Sequence, residues 1–389
     1  MIPVTKPFLP QMEDFNRYVS SIWERQWLTN NGPLVNELEL KLQEYLNIKH
    51  LLFVANGTLA LQLAIKALGV RGEVITTAFS YVATSSSIAW EGCVPIYVDI
   101  DPETFNIDPA KIEAAITGKT KAIVATHTFG NPCDIDAIQA IADKHKLKVI
   151  YDAAHCFGTM YKNKSVFAYG DISTASFHAT KLFHTIEGGA VFSKDPNLLK
   201  ILAGMRNFGH NGPETFDKRP GINAKNCEFH AAMGLCNLEH MEEILERRRT
   251  LSYHYYKRLK NFKVSFPKLN DNLDYNFAYF PVLFETEELL LLCMKRLEGS
   301  KIYCRRYFYP PLSALPYVIK TELPVCEDIS RRMLCLPLYH TLNTSDLDLI
   351  CRILWRVQNY QEPVVINKRK IKIDISNRHI NPINGHSFP

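Results

Sequence analysis

Short apolar runs alternate with amphipathic stretches through the first half of the chain. Residues 50–55 (HLLFVA), 73–77 (EVITT), 94–98 (VPIYV), 121–126 (KAIVAT), 147–152 (LKVIYD), 171–177 (DISTASF) and 189–193 (GAVFS) read as strands. Between them, helical periodicity covers 59–68, 81–91, 109–116 and 134–146, with Pro109 and Asp134 suited to helix starts. Strands apolar on both faces and separated by helices predict an α/β fold, a mostly parallel central sheet with helices on both faces. In such sheets ligands bind outside the carboxyl ends of the strands, so polar residues just after each strand become candidates. After about residue 195 the pattern changes: one long helix over 228–260, a strand-like stretch at 275–284, and helices at 285–298 and 345–360 predict a smaller C-terminal α+β domain. The expected organisation is a large domain over 1–240 with an N-terminal arm, a small domain over 241–360, and an extension over 361–389. In that extension VVINKRKIKIDIS alternates isoleucine with charge, as an edge strand or a basic tail does.

Composition adds exclusions more than assignments. The 389 residues carry a formal net charge of +5 and are 47% hydrophobic, which excludes a wholly disordered or collagen-like chain. Residues 361–389 hold +3 of that charge, leaving the body nearly neutral, so no nucleic-acid partner is expected. No run of about 18 apolar residues exists, and the opening MIPVTKPFLPQMEDF has neither the basic nor the apolar part of a secretory signal. Neither a membrane span nor export is expected. Ten scattered cysteines without metal-ligand spacing read as free thiols in a reducing compartment, which makes the cytoplasm the expected location.

Three features fall where the sheet rule puts a ligand. Asn56-Gly57-Thr58 follows a strand and opens a helix, where backbone N–H groups and the helix dipole favour an anion; it also reads as an ordinary capped turn. Asp152 ends an apolar strand with His155 three residues on; an aspartate there either holds a protonated ring nitrogen or caps the next segment. Lys181 sits in a loop after a strand, in Ser176-Phe-His-Ala-Thr-Lys181, before Glu187-Gly-Gly-Ala190. Alone it reads as a solvated lysine; flanked by hydroxyls and glycines it suits a Schiff-base nucleophile. A phosphate turn, a carboxylate for a pyridinium nitrogen and a downstream lysine together are what pyridoxal phosphate requires.

With WLTNNGPLVNELE (27–39), ANGTLAL (55–61), VDIDPETFNID (98–108), DAAHCFG (152–158), SFHATK (176–181), EGGA (187–190) and INAKNCEFHAAMGL (222–235), the sequence resembles the DegT/DnrJ/EryC1/StrS sugar aminotransferases from about residue 3 to 358. The resemblance implies a fold-type-I pyridoxal 5'-phosphate enzyme that passes through a pyridoxamine phosphate form. It implies Lys181 as the catalytic Schiff-base lysine, Asp152 against the ring nitrogen and His155 near the ring hydroxyl, where many relatives carry Gln. It further implies Gly57, Thr58 and Ser176 at the phosphate, Tyr81 stacked on the ring, and Asn223 reaching the phosphate of a neighbouring subunit in a homodimer with shared sites.

For substrate, the resemblance implies Asn30 and Asn31 near the sugar and Arg305, Arg306, Tyr307 and Tyr309 near the nucleotide; RRYFYPPL also reads as interdomain packing. Relatives frequently carry His where Ser313 stands, which leaves that position without an implied role. VTKPFLP with WLTNNGPL is most similar to enzymes making 4-amino-4,6-dideoxyglucose (viosamine). The implied reaction aminates C4 of a dTDP- or UDP-linked 4-keto-6-deoxyglucose with L-glutamate as donor, releasing 2-oxoglutarate, for glycan biosynthesis. A 3-aminotransferase for a 3-keto-6-deoxyhexose is the alternative. A dehydratase of this fold, which replaces the lysine with histidine, and a non-catalytic regulatory protein are further from these residues.

Overall fold

Seven strands build the central sheet: β1 (Leu51–Val54), β2 (Glu73–Thr77), β3 (Val94–Val98), β4 (Thr120–Thr126), β5 (Lys148–Asp152), β6 (Ile172–Ser176) and β7 (Gly189–Phe192). Their order is β1-β7-β6-β5-β4-β2-β3. The run from β6 to β3 is parallel, and β7 lies antiparallel to both its neighbours. This computed structural model describes residues 1–212 and 214–360, so the extension expected at 361–389 lies outside the described residues.

Alternation along the strands explains the two covered faces. Leu51, Phe53, Ile75, Ile123, Val149 and Tyr151 enter one hydrophobic cluster, while Leu52, Val54, Val74, Ala122, Val124 and Ile150 enter the other. On the second face, the helix Gly57–Ala67 buries Ala60, Leu61, Leu63, Ala64, Ile65 and Ala67. Its small residues let the helix axis approach the sheet closely, which matters because its first turn forms part of the site.

A second core surrounds a three-stranded antiparallel sheet of Val264–Ser265, Phe280–Phe284 and Met333–Leu336. The helices Met241–Leu259, Glu287–Gly299 and Thr344–Asn359 cover it. The N-terminal arm is stitched here, with Ile2 N–H donating to Lys301 O at 2.9 Å and Leu338 N–H to Val4 O at 3.1 Å.

Three expectations need correction. The long helix over 228–260 breaks at His240 into Glu228–Glu239 and Met241–Leu259. Buried Asn237 donates to His184 O at 2.8 Å, fixing the first helix to the central sheet's loops, whereas Leu251, Tyr255 and Leu259 of the second belong to the smaller core. The strand-like stretch at 275–284 pairs only over Phe280–Phe284. Its first residues cross to the large sheet instead: Tyr275 Oη donates to Phe129 O at 2.8 Å, and Asn276 Nδ2 to His155 O at 2.8 Å and Phe157 O at 2.9 Å. The helix expected over 109–116 is one α turn, Pro109–Ile112, followed by 3-10 geometry over Glu113–Ala115.

Sequence patterning also left Met12–Arg25 and Pro33–Tyr45 without assignment as helices. The first fully buries only Ile22, with Phe15 and Tyr18 packed half-buried against the same core, and polar residues fill most of its other positions. The second begins against Glu228, whose fully buried carboxylate accepts from Leu34 N at 3.0 Å and Val35 N at 2.9 Å. A Cβ at Gly32 would overlap that carboxylate, which is why glycine stands there. The two marker segments NNGPL and NCEFH therefore meet in one cap. Removing two charge-assisted bonds and leaving helix N–H groups unpaired predicts that Glu228→Ala lowers stability by about 2–4 kcal/mol, read as a fall in the denaturant midpoint at unchanged slope.

Candidate active site

The carboxyl ends of β4, β5 and β6 open toward one cleft, and the polar residues at those ends do not point at random. Asp152 closes β5 and is 6% exposed. Its Oδ2 accepts from Thr84 Oγ1 at 2.7 Å and its Oδ1 from Ala154 N at 3.2 Å. Thr84 is itself bonded to Ser80 Oγ at 2.7 Å, and Ser80 to Thr126 Oγ1 at 2.9 Å. Among the described residues no cation forms an ion pair with Asp152, and burial pushes its carboxyl up from the usual range, resisted by the Thr84 hydroxyl.

His155 lies on the loop after β5, its ring stacked parallel to Phe129 and Phe308 and tilted against Tyr279. Phe129, at φ 57°, aims its backbone N–H at His155 Nδ1 from 3.2 Å. A ring nitrogen that accepts there leaves the proton on Nε2, so the free edge of the imidazole is a donor. Burial pushes the His155 pKa well below its usual value, aided by nearby Lys181, which keeps the ring neutral.

Lys181 follows β6 in a turn tied by Lys181 N–H to His178 O at 2.8 Å and closed by Thr185 N–H to Phe177 O at 2.9 Å. Its Nζ donates to Tyr279 Oη at 3.3 Å. Burial lowers its pKa, opposed by Tyr307, Asp152 and Tyr81 and reinforced by Arg305. Tyr307 reaches this cleft through its ring contact with Tyr279, 5.6 Å between centroids, and Arg305 through its bond to Tyr307, while Tyr81 acts on the amine through its field. Tyr81 stands at the N-cap of the helix Val82–Trp90 with its side chain open, 59% exposed.

The anion turn is built by close packing. A Cβ on Gly57 would lie 2.9 Å from the Cβ of Ser176, so the first turn of the helix Gly57–Ala67 touches the end of β6. Asn56 caps that helix through Leu59 N at 2.8 Å. Thr58 is the second residue of the turn, where backbone N–H groups lack intrahelical partners. A buried carboxylate without a cation, a neutral imidazole presenting N–H, a lysine amine with lowered pKa and a helix N-terminus beside a hydroxyl form a donor set that fits pyridoxal phosphate.

The remaining residues are placed differently. Arg306 is engaged by Glu287 Oε1 at 2.6 Å and Arg331 O at 2.6 Å, with its guanidinium 3.7 Å above the Tyr309 ring. Arg305 makes no ion pair among the described residues and donates from Nη1 to Tyr307 Oη at 3.1 Å. Asn30 and Asn31 sit exposed before the Glu228 cap, at φ 61° and 54°. Asn223 is exposed and accepts from Lys225 Nζ at 2.8 Å; none of these three asparagines bonds to the group around Lys181. Ser313 is buried. Sequence reasoning missed Thr84, Phe129 and Tyr279; the hydroxyl-rich 80–87 run was a signal for the first, and nothing local marked the others.

All ten cysteines are unpaired, no metal-ligand cluster occurs among the described residues, and no described helix is long and apolar enough to cross a membrane. The profile of the DegT/DnrJ/EryC1/StrS aminotransferase family matches residues 11–355. The dTDP-4-amino-4,6-dideoxy-D-glucose transaminase of Shigella dysenteriae is 42% identical over 355 residues, covering 89% of this chain and 96% of that one. The enzyme of the same name from Escherichia coli is 39% identical over 366 residues, covering 91% and 98%. The crystal structure of DesI in the presence of its TDP-sugar product superposes with a TM-score of 0.88 at 31% identity, covering 92% and 93%. A sugar aminotransferase from Streptococcus pneumoniae, described as putative and solved in its PLP form, gives a TM-score of 0.85 at 25% identity, covering 92% and 98%. With a family profile spanning nearly the whole chain and relatives above 30% identity along its length, the chain belongs to the DegT/DnrJ/EryC1/StrS aminotransferases, a family dependent on pyridoxal phosphate.

Proposed function

We propose that the chain transfers the amino group of L-glutamate to C4 of a dTDP- or UDP-linked 4-keto-6-deoxy-D-glucose, giving the 4-amino-4,6-dideoxy sugar (viosamine) on its nucleotide carrier. The observation that carries the chemistry is buried Asp152, without an ion pair among the described residues, facing buried Lys181 across one cleft. The substrate follows from the similarity to the Shigella and Escherichia coli enzymes.

When bound, pyridoxal phosphate supplies the electron sink and the carrier for the amine. The chain's residues do the rest. Gly57 and Thr58 offer backbone N–H groups and the positive helix end to the phosphate, and Ser176 adds a hydroxyl. Asp152 keeps a proton on the ring nitrogen, and the resulting charge offsets the cost of burying the carboxylate. His155 donates from Nε2 to the ring hydroxyl oxygen. Tyr81 would stack on the ring. Lys181, with burial favouring its neutral amine, takes and returns the proton at the carbon being aminated. Arg305 and Tyr307 face the nucleotide diphosphate and base, with Arg306 and Tyr309 supporting that loop as a stacked pair. Asn30 and Asn31 face the sugar.

A homodimer belongs to the same proposal, with Asn223 completing the phosphate site of a second copy. Exposed apolar residues beside it and beside the Asn30–Asn31 segment support this. Phe208 and Ile222 are 52% and 41% exposed, and the Phe208 N–H bonds to Ile222 O; Leu28, at 52%, accepts from Glu228 N. We place the large-domain boundary at residue 240 and the small domain over 241–360.

Lys181→Ala abolishes the lysine-linked visible absorbance of added cofactor and the conversion of glutamate to 2-oxoglutarate; a wild-type protein that never develops that absorbance would falsify the cofactor reading. Incubation with glutamate and each keto sugar, followed by NMR of the product, places the amine on C4, whereas an amine on C3 assigns the chain to the 3-amino class. Asp152→Asn has opposite effects on two readouts. Turnover falls by about 10²–10³-fold, as when one preorganised electrostatic group is lost. Without cofactor the variant is the more stable: a carboxyl whose folded pKa is raised has its stability intact below the unfolded value and loses it as pH rises through the folded one. The gap in melting temperature between variant and wild type therefore widens from acid to neutral pH and closes when cofactor is added.

A further inference from the structure

Tyr279 belongs to none of the marker segments and lies 98 residues beyond the lysine it touches. It arrives in the cleft because residues 275–279 leave the smaller sheet and cross to the loops after β4 and β5. Three residues anchor that crossing: Tyr275 donates to Phe129 O, Asn276 to His155 O and Phe157 O, and Ala278 through its N–H to Asn276 Oδ1 at 3.1 Å. A fourth comes from the far side. Arg248, 3% exposed on the helix Met241–Leu259, donates from Nη1 to Ala278 O at 3.0 Å. The Tyr279 ring is wedged between His155, at 4.6 Å between centroids, and Tyr307, at 5.6 Å. Its hydroxyl is thereby held in one place, and burial keeps it protonated by pushing the phenol well above its usual value.

We propose that Tyr279 is the positioning residue for Lys181, holding the free lysine amine at the cleft whenever the amine is released from the cofactor. This rests on the reading of Lys181 as the Schiff-base lysine. Transamination leaves that amine detached for half of every cycle, and a lysine side chain carries the rotamer freedom to swing away. A hydroxyl of fixed position accepts from the amine while it is protonated and donates to it while it is neutral, so it holds the group through both states of a proton transfer. The other groups that face the amine do so as fields rather than as bonds: Asp152, Tyr81 and Tyr307 favour its charged form, Arg305 disfavours it, and His155 stays neutral. Among the described residues, Tyr279 makes the one side-chain hydrogen bond to Nζ.

The test uses Tyr279→Phe, which keeps the ring on His155 and removes only the oxygen. Competitive acetylation of Lys181, resolved by peptide mass spectrometry across pH, reads the amine directly in the pyridoxamine phosphate form and in the protein as purified. A hydrogen bond from a charged donor is stronger than from a neutral one, so losing the acceptor disfavours the ammonium and raises labelling at a fixed neutral pH by about threefold. In the same variant, lysine-linked absorbance returns more slowly, by about tenfold, when 2-oxoglutarate is added to the pyridoxamine form. Tyr279→Leu, which removes the ring as well, gives the same direction of labelling; a change confined to Tyr279→Leu assigns the effect to ring packing and overturns the proposal. A wild-type labelling profile in either variant, with melting temperature unchanged, overturns the proposal. Labelling altered as expected in a protein that never develops lysine-linked absorbance sustains the contact and instead overturns the aminotransferase reading.

Discussion

Asp152 and Lys181 carry opposite formal charges inside one cleft and do not touch. The carboxylate is bonded to Thr84 and Ala154, the amine to Tyr279, and among the described residues no ion pair joins them. Direct contact would satisfy both charges and leave nothing for a ligand. Held apart, each sits at a cost in its desolvated form, the carboxyl favouring its proton and the amine its free base. The scaffold around them serves that separation: strand ends hold one group, a closed turn holds the other, and a segment from the smaller core stands between the turn and the imidazole.

This arrangement accounts for the division of labour between the two cores. The central sheet supplies rigid ends, because β4, β5 and β6 are buried on both faces and their registers are continuous. The smaller core supplies reach. Residues 275–279 and 305–309 both extend from it toward the cleft, one anchored by Asn276 and the other by the Glu287–Arg306 pair and the stacked Tyr309. A guanidinium locked in that way stiffens the loop and leaves Arg305, held only to Tyr307 Oη by its side chain, as the cation turned to the cleft.

Most of the sheet was legible in the sequence because its strands are short, apolar on both sides and bounded by polar residues. Asp152, Gly57 and Lys181 were legible because the sheet rule singles out residues just past strand ends. What was hidden has a common physical origin. Tyr279 lies in a run whose apolar composition, YNFAYFPVLF, fits a single strand, and only tertiary bonds decide that half of it leaves the sheet. The break at His240 is equally silent, because helical periodicity continues through a residue whose backbone departs from helix only to serve two different cores. Asn30, Asn31 and Asn223 stood out by motif, yet a single chain leaves them exposed.

The hydroxyls behind Asp152 have a direction. Each of Thr84, Ser80 and Thr126 owns one proton, and Thr84 spends its own on the carboxylate. Ser80 must then donate to Thr84, and Thr126 to Ser80, so the chain of dipoles points from β4 toward the acid. Protonating Asp152 removes the demand at one end and frees all three rotors to reverse. The charge state of the carboxyl is therefore registered two hydroxyls further on, beside the backbone of His127, as an orientation and not as a displacement. A vibrational probe of these hydroxyls would read the acid's protonation without any atom of the ligand being observed.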